Sequence, residues 1–389
     1  MPTIDLNNTK NGFAGYTDSE LRKSLLLFRM IANPNLARFG PKIASLSLKL
    51  GFPVRSLIKD SLFGQFCGGE TLEECLPKIE KLGANGVGTI LDFATEAVTD
   101  EEGFDRVFEH VAETVELAGK NPHVPFAVFK PTGLGDSRIL TKVDAGETLN
   151  PKENRAYERF LERCHDLCKL ASERKVKILI DAEESWFQDT VDEMATNMMQ
   201  AFNQSEFVVY NTLQMYRHDR FDYLKRLAVH ARKEGFRLGF KLVRGAYLEK
   251  ETDYAEENGL PNPMQSSKQA TDNDFNLASE YCLDHIDEIA FCAGTHNDVS
   301  IEKIVSRMQS LKIAPDDTRV YFAQLYGMSD NLSFNLSRSG YLACKYLPFG
   351  KLEELLPYLA RRAQENSSLK GQTGRELAMI QEELKRRSL

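Results

Sequence analysis

The chain has 389 residues, 42% of them hydrophobic, so it can bury a large core as one big domain or as two to three smaller ones. Its formal net charge of −8 and pI near 5.6 argue against a nucleic-acid binder, which would present a basic surface. No apolar run approaches the roughly 20 residues that span a bilayer, and the seven cysteines include no CxxC pair and no metal-finger spacing. The start MPTIDLNNTKNGF shows neither a basic stretch before an apolar one nor an Arg-rich composition. A cytoplasmic protein with reduced, mostly buried thiols is therefore expected.

Residues 1–82 read as helical. Thr17, Asp18, Ser19 and Glu20 place capping residues before the apolar-periodic run SELRKSLLLFRMIAN. Residues 35–50 and 71–82 continue the helical pattern, and Lys81-Leu82-Gly83 supplies a stop. The texture then changes to short apolar, often β-branched runs, each followed by a longer amphipathic stretch. Eight such runs occur: 86–93 (GVGTILDF), 126–131 (FAVFKP), 176–181 (VKILID), 207–214 (FVVYNTLQ), 238–247 (LGFKLVRGAY), 288–296 (EIAFCAGTH), 320–326 (VYFAQLY) and 341–347 (YLACKYL). Their lengths suit strands buried on both faces. Helical patterns lie between them, as at 153–174 and 221–234. Eight strands alternating with helices predict an α/β fold, a closed (β/α)8 or TIM barrel behind an N-terminal helical region. The alternative, a doubly wound open sheet, would want a Gly-rich phosphate turn after its first strand, and no GxGxxG is present. The expected organisation is a helical arm over 1–82, a barrel over 83–370 and a C-terminal helix over 371–389.

The polar residues of these runs fall at their C-terminal ends: Lys130, Asp181, Gln214, Lys241 with Arg244, His296 with Asn297, Gln324 with Tyr326, and Tyr346. In a barrel those ends converge on one mouth, where active sites sit. A further stripe lies at 352–366 (LEELLPYLARRAQEN). Read as a helix, it puts Leu352, Leu355, Leu356, Leu359 and Ala363 on one face and Tyr358, Arg361, Arg362 and Glu365 beside it at i, i+3, i+4 and i+7. Adjacent guanidiniums are forks of planar donors suited to a carboxylate or phosphate. There is no HExxH, and His296 stands apart from other ligands, so a zinc site is not expected. The run DAEES at 181–185 suits Mg²⁺, but cations outnumber carboxylates, which favours an anionic ligand over a metal.

The segment KLVRGAY at 241–247 resembles the central motif of the proline dehydrogenase family. LIDAEES (179–185), TLQMY (212–216), THN (295–297), QLYGMSD (324–330), and YLPFG followed by YLARRAQEN (346–366) match in the same order, so the resemblance covers about residues 60–370. It implies a distorted barrel with N-terminal helices, FAD as cofactor, and oxidation of L-proline to Δ1-pyrroline-5-carboxylate by hydride transfer from proline C5 to flavin N5. The implied electron acceptor is a membrane quinone, reached by peripheral contact with an inner membrane. By the same resemblance Arg361 and Arg362 match the pair that grips the proline carboxylate, and Lys130 and Asp181 line the substrate pocket. Leu242, Tyr247, Leu325, Tyr346 and Tyr358 match positions that wall the ring. Glu70 matches a glutamate that closes the pocket by pairing with one of the arginines. Gln214, Lys241, Val243, Gly245, Ala246, Thr295, His296 and Glu365 match flavin contacts, and Lys268 and Thr271 resemble the loop that holds the pyrophosphate and adenosine.

In some family members Arg stands at the position of Lys241 and Lys at that of Arg244; the order found here resembles the mitochondrial, single-function branch. No stretch is left for an aldehyde dehydrogenase domain, so the following step is expected of another protein. Two other readings fit the residues taken alone: a barrel aldolase or lyase using Lys130 or Lys241 as a Schiff-base amine, and a non-enzymatic barrel that binds a ligand.

Overall fold

Strands form at all eight apolar runs: β1 Val87–Phe93, β2 Phe126–Phe129, β3 Lys177–Ile180, β4 Val209–Gln214, β5 Leu238–Val243, β6 Ile289–Gly294, β7 Val320–Leu325 and β8 Ala343–Phe349. They follow one another in chain order around a closed barrel, and the paired strands are parallel. The computed structural model describes residues 4–33, 55–94, 98–368 and 372–388, the side chains of 363–373 excepted. Strand ends differ from the expected ones where polar residues leave the ladder: 244–247 and 295–296 lie past β5 and β6. β8 runs two residues beyond its expected end, because its ladder with β1 continues through Asp92↔Pro348 and Phe93↔Phe349.

The chain forms two compact units. One is Ala97–Ala323 and the other joins Pro2–Glu96 to Gln324–Leu389. In the first, Phe126 on β2 touches Tyr210 on β4 (ring centroids 5.4 Å) and Tyr321 on β7 (4.8 Å), both edge-on. Since β2 and β7 are not neighbours in strand order, these rings meet inside the barrel. Each such pair contributes about 0.5–1.5 kcal/mol beyond its buried area. Gly239 on β5 makes room for this layer: a Cβ there would lie 2.4 Å from the Val209 carbonyl oxygen and 2.7 Å from the Tyr210 ring. The helices Pro151–Arg174 and Arg220–Glu234 form as expected. Asn150 caps the former, in a box with Glu153.

In the second unit β1 pairs with β8 from Val87↔Ala343 to Phe93↔Phe349. Thr17 and Glu20 form the expected capping box on helix Asp18–Ile31, and Thr71 caps helix Leu72–Gly83. Leu21, Phe28, Phe66, Leu352, Leu355, Leu359 and Ile380 share one core, which unites the N-terminal helices with Leu352–Ser368 and the C-terminal helix Gln372–Arg387. The helix expected over 35–50 lies outside the described residues. All seven cysteines are buried and free. Among the described residues no helix is long and apolar enough to cross a membrane.

Gly239→Ala should cost about 3 kcal/mol, the upper end of overpacking penalties, because a backbone oxygen blocks the new methyl. A thermal melt showing an unchanged midpoint would contradict the packing described for β5.

Candidate active site

In the first unit, the ends of β2 to β6 gather the ionisable groups. The Asp181 N–H donates to the Phe129 carbonyl (3.0 Å), which sets Asp181 beside Lys130. The Asp181 carboxylate then takes two ammoniums: Lys241 donates to Oδ1, and Lys130 Nζ lies 3.8 Å from Oδ2. Lys241 and Asp181 are both buried. Withdrawing such charges from water costs several kcal/mol each unless they are paired, so this cluster is held by mutual neutralisation.

Glu183, two residues on, is buried too. Its carboxylate accepts from Thr132 Oγ1 (2.6 Å) and from the Thr132 N–H (2.9 Å), so it latches the loop after β3 to the loop that carries Lys130. Burial pushes its carboxyl up to about 7, against the lowering effect of those two bonds. Gln214, at the end of β4, donates from Nε2 to the Glu183 carbonyl (2.9 Å), while its buried Oε1 has no hydrogen-bond partner among the described residues.

The two cations of KLVRGAY part company. Lys241 joins Asp181, whereas Arg244 turns to Asp272 (2.6 Å), Thr295 Oγ1 (2.7 Å) and Ser300 Oγ (2.9 Å). Burial raises the Asp272 carboxyl, but the bonds from Lys268 (2.7 Å) and Arg244 outweigh it and hold the group below its ordinary range. Lys268 opens helix Lys268–Asp284, and Thr271 is buried, donating back to the Ser267 carbonyl (3.3 Å). Leu242 is fully buried, Val243, His296 and Tyr247 are half-buried, and Gly245 and Ala246 are exposed. Gly245 has φ +126°, and a Cβ there would meet the Tyr216 ring at 2.5 Å, so only glycine fits.

Helix Leu248–Glu257 is fastened to the loop after β3. Buried Glu251 accepts from the Ser185 N–H (2.8 Å) and its hydroxyl (2.5 Å), and Trp186 stacks on Tyr254 (3.9 Å). Residue type alone gave no sign of Glu251, Thr132 or Asp272, because each acts through a partner remote in sequence. The pairing of Lys268 with Asp272 at i, i+4 was the one readable clue.

In the second unit, Leu325 ends β7 and Tyr346 lies on β8; the two segments are tied by the Tyr326 N–H to the Tyr346 carbonyl (2.9 Å). On helix Leu352–Ser368 the expected apolar face is buried at Leu352, Leu355 and Leu359, with Leu356 half-buried. Tyr358 and Arg362 are buried and Arg361 half-buried; the Arg362 guanidinium lies over the Tyr358 ring (5.1 Å). The Glu365 side chain lies outside the described residues. Glu70 has its hydrogen bonds and ion pairs elsewhere in this unit. It binds Arg55 (2.6 Å) and Lys59 (3.0 Å), and it accepts the Leu352 N–H (2.9 Å). The physical reason is the orphan N–H at that helix start, which favours a carboxylate. The bonds to Leu352 and the two cations prevail over burial and hold Glu70 below its ordinary range.

A family model described as proline dehydrogenase matches residues 75–375. The mitochondrial proline dehydrogenase 1 of Dictyostelium discoideum is 31% identical, covering 99% of this chain and 75% of that protein. The hydroxyproline dehydrogenase of Xenopus laevis is also 31% identical, covering 95% and 87%. Among solved structures, proline utilization A from Bdellovibrio bacteriovorus shares the fold with a TM-score of 0.73 at 23% identity, over 90% of this chain and 37% of that one. The chain thus spans well under half of that solved protein.

Glu183 yields a test of the strand-end cluster. Between the ordinary value of 4.5 and about 7, the folded chain keeps a proton that the unfolded chain has released. Its contribution is therefore present at low pH and is lost as pH rises through 7, on the order of 3 kcal/mol for a shift of this size. Glu183→Gln, neutral at every pH and still able to accept the Thr132 N–H, should flatten the fall in stability between pH 5 and 8. Denaturant titrations with equal slopes for the two proteins would contradict it.

Proposed function

Since the chain belongs to the proline dehydrogenase family, we propose that it oxidises L-proline to Δ1-pyrroline-5-carboxylate with bound FAD and passes the electrons to a membrane quinone. The observation that carries this reading is the Asp181 carboxylate shared by Lys130 and Lys241 at the strand ends, together with a buried Gln214 oxygen that accepts no hydrogen bond among the described residues.

A flavin suits this donor set. The Gln214 oxygen is an acceptor that needs an N–H, as the isoalloxazine ring offers. Exposed Gly245 and Ala246 leave the backbone open to close approach. Lys241, Val243, Thr295 and His296 would complete the hold on the ring, with Lys268 and Thr271 toward the phosphates and Glu365 nearby. When bound, FAD supplies the two-electron acceptor that cleavage of the proline C5–H bond requires.

The chain's own residues do the rest. Proline is a zwitterion, and its carboxylate must be paired to enter a dry site. Arg361 and Arg362 supply that pairing, and Tyr358 stiffens the Arg362 plane by lying beneath it. With the acid group held, Leu242, Tyr247, Leu325, Tyr346 and Tyr358 wall the ring and fix the direction of C5. The amine must lose its proton before C5 gives up hydride. In this reading that proton is released to solvent. Lys241 also stabilises negative charge that grows on the acceptor side.

The purified protein should absorb in the flavin region and bleach on anaerobic addition of L-proline, but not of proline amide, which lacks the charged acid group. A colourless protein that traps carbonyl compounds on borohydride treatment would favour the aldolase reading instead. Arg362→Lys, which keeps the charge and loses the planar fork, should raise KM for proline about 30-fold, or about 2 kcal/mol; kinetics unchanged by it would remove Arg362 from the site. Tyr346→Ser should open space at the ring edge and shift preference toward 4-hydroxyproline, and an unchanged ratio of kcat/KM values would refute that assignment.

A further inference from the structure

The turn after β7 is held by side chains from three separate elements. It contains two left-handed residues, Gly327 (φ +77°) and Ser329 (φ +51°). The second carries a side chain, so the conformation is one that L residues other than glycine rarely adopt. Gln65 donates to the Gly327 carbonyl (3.1 Å). Lys345 of β8, fully buried, donates to the Met328 carbonyl (2.6 Å) and pairs with Asp330 (2.6 Å), which also takes the Tyr16 hydroxyl (2.5 Å). The Ser329 N–H donates to the carboxylate of Glu376, a buried residue of the C-terminal helix.

That helix is itself anchored. Buried Glu383 takes Arg386 (2.8 Å) and Arg387 (2.7 Å), and Arg387 continues to the Phe13 carbonyl (2.8 Å), the Tyr16 carbonyl (2.7 Å) and Asp18 (2.9 Å). Glu376 is therefore a fixed point and not a mobile tail contact. The turn it grips begins at Leu325, whose carbonyl accepts the Met328 N–H (3.2 Å), and at Tyr326, whose N–H bonds the Tyr346 carbonyl. Both Leu325 and Tyr346 are ring-walling residues in the reading above. Glu376 lies outside residues 75–375, the stretch that carries the family match.

We propose that Glu376 is a positioning residue for substrate binding: from the C-terminal helix it holds the Leu325–Ser329 turn in its left-handed form and so sets where Leu325 stands against the substrate ring. A bond from a backbone N–H to a buried carboxylate is strong enough to hold Ser329 against its steric preference. The inference rests on the proposed function for its kinetic readout, and a second readout does not depend on turnover.

The test compares the parent with E376A, E376Q, S329G and E376A/S329G, all as full-length holoenzyme. KM and kcat for L-proline are read with a soluble dye as acceptor, and amide hydrogen exchange is followed across 324–331. E376A should raise KM about tenfold while kcat stays within about twofold, the pattern of lost uniform binding. Exchange in the turn should quicken in parallel. Adding S329G should restore both, because glycine takes φ near +50° without steric cost; a merely structural role for Glu376 would not be repaired this way. E376Q should show the same changes at about a third of the size, since a neutral amide accepts more weakly. It carries the test should E376A fail to fold. Exchange and KM equal to the parent in both variants overturn the proposal, as does a loss in E376A that S329G leaves unrepaired. A parent that proline does not reduce at all overturns the functional reading, and the exchange data still decide whether Glu376 holds the turn.

Discussion

One carboxylate serving two ammoniums organises the chemistry at the strand ends. Asp181 takes Lys241 from β5 and Lys130 from the segment just past β2, and Asp181 and Lys241 are both buried. Without Asp181 two like charges would face each other; without either lysine the carboxylate would be less well compensated. Removing one member of a buried ion pair typically costs about 3–5 kcal/mol, which applies to Lys241 and Asp181. Their arrangement is also directional. The Asp181 N–H is locked to the Phe129 carbonyl, so the carboxylate is aimed by the sheet itself and not by a flexible loop.

The loops around that cluster are braced by buried carboxylates. Glu183 ties the loop after β3 to Thr132, and Glu251 ties the same loop to the helix after β5. In the second unit Glu70 caps the helix that bears Arg361 and Arg362, and Glu376 holds the turn after β7. Each of these acids bonds a backbone N–H. A peptide N–H left unpaired in a dry interior costs about 1–3 kcal/mol, so a short loop that cannot complete a ladder recruits a carboxylate from elsewhere. The consequence for function is stiffness: candidate binding side chains sit on loops whose backbones are individually fastened.

Membership of the proline dehydrogenase family agrees with this arrangement at the level of charge. A net-acidic chain places Lys130, Lys241 and Arg244 at its strand ends and Arg361 and Arg362 on one helix. The glycine at position 245 is forced by the Tyr216 ring and leaves its backbone exposed between Arg244 and Ala246.

The sequence alone determined the eight strands, their parallel alternation with helices, and the polar residues at their ends, because hydrophobic period and strand length are local properties. It also determined the capped start at Thr17, which depends on side chains within one turn. Only the tertiary structure decided which cation took which acid. Lys241 and Arg244 stand three residues apart with the same charge, yet one meets Asp181 and the other Asp272, since their directions are set by strand pairing and by the end of β5. Glu70 likewise meets Arg55, Lys59 and the Leu352 N–H, neighbours that are brought to it only by packing. Pairings between residues tens to hundreds of positions apart leave no periodic trace in the chain, so they emerge only when the fold closes.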